Sequence, residues 1–179
     1  MAGDLSNKEM LLGTLEIAIQ METEGKSFYQ EASQKTNDHL GRELFLQLSG
    51  EEELHAKKAR EIYEHLTQVG TSSMTDVLFD KGVTIKSIFA KAKEHVGNEK
   101  QVASDVYEVI RIALDMEEKS RKFYQEQSSS AETEVERRFF SALMAEEKGH
   151  YLSLADYKEY LTNPSAWFAN IEHHSLDGG

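Results

Sequence analysis

Residues 17–31, IAIQMETEGKSFYQE, return at 112–126 as IALDMEEKSRKFYQE, an offset of 95 (112 − 17). The same offset lays 42–66, RELFLQLSGEEELHAKKAREIYEHL, on 137–161, RRFFSALMAEEKGHYLSLADYKEYL, with no gap in either copy. Two matched stretches under one offset mark an internal duplication. Each copy has the apolar spacing of two successive helices, so the repeating unit is a helical hairpin.

Composition agrees with an all-α fold. Ala, Leu, Glu, Lys and Gln abound, and the single proline, Pro164, lies near the C-terminus, leaving the rest free of the strongest helix breaker. A chain of 179 residues can bury a sizeable core as one domain. With no cysteine there is no disulfide, thiolate zinc site or thiol chemistry, so any metal must be held by oxygen and imidazole nitrogen. A formal net charge of -12 argues against nucleic acid and anionic membrane surfaces as partners. The start, Met1-Ala2-Gly3-Asp4, has no basic region, and no apolar run nears the ~18 residues of a membrane span. The expectation is a soluble, cytoplasmic protein.

Thr36-Asn37-Asp38 and Ser128-Ser129-Ser130 are rich in capping and turn residues and predict the two hairpin turns. Four helices follow, near 5–35, 39–68, 100–128 and 132–162, in a bundle over 1–163, with a tail at 164–179. The crossover, about 69–99, is punctuated by Gly70, Gly82 and Gly97. It carries Ile85, Ile88, Phe89 and Ala92 at helical spacing, which predicts a short amphipathic helix. A connection this long suits bundles with one long crossover, and it permits exchange of hairpins in a homodimer.

At 100° per residue, the buried seam of the second helix runs Phe45, Leu48, Glu52, His55, Ala59, Ile62, Leu66. The fourth repeats it as Phe140, Leu143, Glu147, His150, Leu154, Tyr157, Leu161. The first reads Leu11, Leu15, Ala18, Glu22, Gly25, Tyr29, and the third Val106, Ile110, Ala113, Glu117, Ser120, Tyr124. Each apolar stripe is interrupted by an acid, and an unpaired buried carboxylate costs several kcal/mol. Four of them in one core call for cations.

Hairpin geometry puts the acids level. The midpoint of 22 and 52 is 37, and that of 117 and 147 is 132, both at or near the turns. Glu52 with His55, and Glu147 with His150, each place a carboxylate and an imidazole on neighbouring turns, about 5–6 Å apart at Cβ, close enough to share an ion. Four carboxylates balance two divalent ions. With two imidazoles the set suits iron or manganese better than calcium or magnesium, and zinc also fits. Tyr29 and Tyr124 follow the first- and third-helix acids by seven residues and lean back towards that level. Each is either a hydrogen-bond partner of the ligands or an aromatic core residue with its hydroxyl satisfied elsewhere. Glu51 and Glu146 also match under the offset but fall on the shoulder of the seam, where they read first as solvated or capping carboxylates and are ligands only in reserve.

Glu22, Glu52, His55, Glu117, Glu147 and His150 together resemble the ferritin-like di-iron carboxylate pattern, one Glu from each of two helices and Glu-x-x-His from each of the others. Within that group the duplicated Met-Glu…Phe-Tyr and Glu-Glu-x-x-His segments are most similar to rubrerythrins, over roughly residues 10–162. The resemblance implies a di-iron centre reactive towards hydrogen peroxide or oxygen. Many rubrerythrins also carry a cysteine-ligated rubredoxin domain. Without cysteine here, the resemblance implies an external electron donor such as a rubredoxin. Rubrerythrins commonly add a glutamate three residues after the third-helix ligand, where this sequence has Ser120. Oxidation and storage of Fe(II), or metals that only brace the bundle, are the alternative functions. The tail's Trp167, Phe168 and His173-His174 have three uses open to them: capping the bundle, packing on a partner subunit, or holding an accessory metal.

Overall fold

The computed structural model describes residues 2–69, 104–165 and 167. Among them are four helices and no strand: α1 (Ala2–Lys35), α2 (His39–Val69), α3 (Ser104–Ser130) and α4 (Glu134–Thr162). The crossover expected at 69–99, with its short helix, lies outside the described residues apart from Val69. So do Phe168 and the His173-His174 pair. No helix among the described residues is long and apolar enough to cross a membrane.

Each hairpin is closed by local chemistry. In the first, Thr36 N–H donates to Ala32 O, ending α1. Asp38 then caps α2 by accepting Gly41 N–H at 2.7 Å, one of the donors a helix start leaves without an internal partner. The Tyr157 hydroxyl of α4 donates to the same Asp38 carboxylate at 2.8 Å. Tyr157 passes so close over Gly41 that a Cβ there would collide with its ring and hydroxyl, which is why glycine stands in the first turn of α2.

The second turn differs from the sequence expectation. Ser128, Ser129 and Ser130 remain helical, and the chain turns at residues 131–133. The hydroxyls of Ser129 and Ser130 donate back to the carbonyls of Gln125 and Glu126, satisfying within the helix the groups that favour turns elsewhere. A capping box made by Thr133 and Glu136 fixes the start of α4 instead.

Cross-links between helices run in reverse order along both hairpins: Lys26 to Glu53 and Tyr63 to Glu16 in the first, Ser128 to Ser141 and Tyr107 to Leu161 in the second. The core is divided into two apolar clusters. One gathers Tyr29, Leu44, Phe45, Leu48, Ile110, Leu154 and Tyr157, and the other Leu15, Ile62, Leu66, Tyr124, Phe140 and Leu143. At about 1.5–3 kcal/mol for each fully buried large side chain, these two ends carry the stability of the bundle. Trp167 closes the first cluster, set edge-on to Tyr160 with centroids 5.6 Å apart.

Candidate metal centre

Between the apolar clusters lies a polar layer contributed by all four helices. Glu22 comes from α1, Glu52 and His55 from α2, Glu117 from α3, and Glu147 and His150 from α4, each 1–5% exposed. Their ligand atoms fall into two groups, Glu22, Glu52, His55 and Glu147, and Glu52, Glu117, Glu147 and His150, with the atoms of each group within 4.8 Å of one another. Glu52 and Glu147 belong to both. The two imidazoles lie face to face, centroids 5.6 Å apart and 13° from parallel. The structure therefore brings together all six residues that the seams put at one level.

The contacts within the layer follow the duplication. His55 Nδ1 is 3.2 Å from Glu22 and 3.6 Å from Glu147. His150 Nδ1 is 3.1 Å from Glu52 and 3.5 Å from Glu117. Tyr29 donates its hydroxyl to Glu117 and Tyr124 donates to Glu22, so each tyrosine holds the acid of the other repeat. Phe45 stacks on Tyr29 and Phe140 on Tyr124, and these pairs form the apolar floor and roof of the layer. Phe28 and Phe123 pack half-buried and edge-on against the same two tyrosines.

Crowding so many buried ionisable groups together forces their protonation apart. Burial, and then the negative charge of Glu22, push the Glu52 carboxyl well above the usual carboxylate range. Burial, with Glu52, Glu22 and Glu117 around it, does the same to Glu147. Burial also acts to raise Glu22 and Glu117. Their neighbours outweigh it and hold both low: Glu52, His55 and Tyr124 around Glu22, and His150, Glu147 and Tyr29 around Glu117. His150 is pulled down by burial but lifted well above its ordinary value by the carboxylates of Glu117, Glu51 and Glu52. Burial, then the adjacent acids, raises Tyr29 and Tyr124, which stay protonated donors.

The layer fits a pair of cations. Glu117 Oε2, Glu147 Oε1 and His150 Nδ1 are buried without a hydrogen-bond partner, although other ligand atoms surround them. Three such atoms, oxygen and imidazole nitrogen, converging in a buried layer form a donor set for divalent metal.

The shoulder position of Glu51 favours a solvated or capping carboxylate, with ligation in reserve, and the structure instead sets it against a histidine. Its side chain is only 16% exposed and accepts the Nε2–H of His150 at 2.9 Å. The periodicity of α2 puts Glu51 on a shoulder, and only the position of α4 shows that this shoulder faces a histidine.

The sequence matches the family model described as Rubrerythrin over residues 14–158. Among solved structures, the chain is similar to "Hypothetical Protein Pfu-1136390-001" from Pyrococcus furiosus. The TM-score is 0.63 and the identity 24%, over 86% of this chain and 90% of that one, a likeness of fold. No curated protein matches.

Proposed function

Because the chain belongs to the rubrerythrin family, we propose that the buried layer holds two iron ions and that the protein reduces hydrogen peroxide, or oxygen, to water with electrons from a donor outside these residues. The observation that carries this reading is the pair of ligand groups sharing Glu52 and Glu147 in a fully buried layer. Glu22, Glu52, His55 and Glu147 would hold one ion, and Glu52, Glu117, Glu147 and His150 the other. Bound iron supplies the redox electrons and a place for the oxidant.

The chain's own residues do the rest. The Tyr29 and Tyr124 hydroxyls fix Glu117 and Glu22, so these acids meet the ions with one oxygen restrained. The stacked aromatic pairs on both sides exclude bulk water, which preserves the strength of every charge contact inside. Reduction of one peroxide to two waters consumes two electrons and two protons.

A second reading, oxidation of Fe(II) as substrate, is favoured by one feature. Ser120 stands where rubrerythrins commonly have a further glutamate, so the layer has six ligands and lacks that additional carboxylate. Loading the protein with Fe(II) without air and following its oxidation by peroxide and by oxygen separates the two. The first reading expects two irons per chain and faster oxidation by peroxide. Turnover of many irons per chain supports the second, and failure to bind iron overturns both.

A further inference from the structure

The two halves of the layer share their ligands and tyrosines but differ at one hydrogen-bonded chain. Gln47 Nε2 donates to Glu51 Oε1 at 2.8 Å, and the other oxygen of Glu51 accepts from His150 Nε2 at 2.9 Å. Under the 95-residue offset Glu51 becomes Glu146, but Gln47 becomes Ala142, which has no group to hold a carboxylate in place. Among the described residues, the polar partners of His55 are Glu22 and Glu147, both at its Nδ1. The Nε2 of His55 therefore has no counterpart of Glu51.

This difference bears on metal binding. A carboxylate at Nε2 fixes the proton there and leaves Nδ1 as the ligand atom. It also locks the ring and makes the free nitrogen a better donor. In His150 that nitrogen lies against Glu52 and Glu117 and has no hydrogen bond of its own. His55, whose polar partners among the described residues are both at Nδ1, lacks that outer carboxylate.

Resting on the metal-centre reading above, we propose that Glu51 is a positioning residue that makes the two metal positions unequal. The position at His150 binds a divalent cation more tightly than the position at His55 and fills first. Loss of an outer carboxylate from a ligating histidine weakens metal binding by about 10–100-fold.

The test is calorimetric titration of the metal-free full chain with Co(II), followed also by the cobalt absorption bands. The natural protein takes up two ions per chain in two resolved steps. Glu51→Ala weakens the tighter step by about 10–100-fold, and Glu51→Gln, which keeps the shape and an acceptor, weakens it less. Glu146→Ala leaves both steps unchanged, and in a His150→Ala background Glu51→Ala has no further effect on the remaining ion. In the Zn(II)-loaded protein, nitrogen NMR finds the His150 proton on Nε2, and Glu51→Ala shifts that signal. Two equal steps in the natural protein, an unmoved tighter step in both Glu51 variants, or equal losses from Glu51→Ala and Glu146→Ala overturn the proposal while leaving the metal centre standing. Failure of the natural protein to bind Co(II) overturns both.

Discussion

Without metal, the folded protein should become less stable as pH rises from about 5.5 to 7.5, against the usual behaviour of buried carboxylates that are paired with cationic side chains. Glu52 and Glu147 have folded values raised well above their ordinary 4.5, and His150 has one raised well above 6.5. Such groups bind more protons folded than unfolded. The stability they contribute is complete below the ordinary value and is lost as pH rises towards the raised one. Each retained proton is worth about 1.4 kcal/mol per pH unit. Glu52 and Glu147 together therefore set a limiting slope of about 2.7 kcal/mol per pH unit above pH 5.5, and His150 steepens it above 6.5. Glu22 and Glu117, held low, work in the opposite sense and remove stability as pH falls below 4.5, so the maximum lies in mildly acid solution. Urea unfolding of chelator-treated protein at pH 5.5, 6.5 and 7.5 measures the slope. With saturating Zn(II) the slope should reverse, because the ions can bind only after those protons leave. A metal-free stability that is flat or rises over this range would refute the assignment of protons to Glu52 and Glu147.

Replacing Glu52 and Glu147 together with leucine should abolish binding of both ions, measured by metal analysis after dialysis. It should stabilise the metal-free fold by about 1–4 kcal/mol in urea, since two buried polar carboxyls give way to apolar packing. Tyr29→Phe and Tyr124→Phe should each cost about 1–3 kcal/mol in the metal-free protein by removing a buried donor from Glu117 or Glu22. The pseudo-symmetry predicts similar losses for the two, and a loss in only one would contradict it. Gly41→Ala should cost about 1–3 kcal/mol by forcing Tyr157 away from Asp38, seen as a lowered Tm, whereas an unchanged Tm would show that the ring can move aside freely.

Much of the bundle was legible because the duplication repeats each buried position once. Leu48 and Leu143, or Leu15 and Ile110, are recognisable as core from periodicity alone, and all four are fully buried. The level of the acids was legible too, since a tight hairpin leaves only one register. What escaped depends on contacts between helices that share no turn. A helical wheel places Tyr29 on the seam with Glu22, yet its hydroxyl reaches Glu117 on α3. Glu51 acquires its partner from α4, and nothing in the sequence around it states how α2 and α4 face each other. Ser128–Ser130 misled for a different reason, because serine hydroxyls can satisfy helix carbonyls as readily as they terminate a helix.

Glu52 and Glu147, shared by both ligand groups, would lie between two metal ions. Anomalous diffraction at the iron edge, from crystals of protein loaded with Fe(II) in the absence of air, would locate them. Two peaks per chain are predicted between the four helices, about 3.5–4 Å apart, one beside His55 and one beside His150, with Glu52 and Glu147 between them. A single peak, or iron bound only outside the layer, would rule out a two-metal centre.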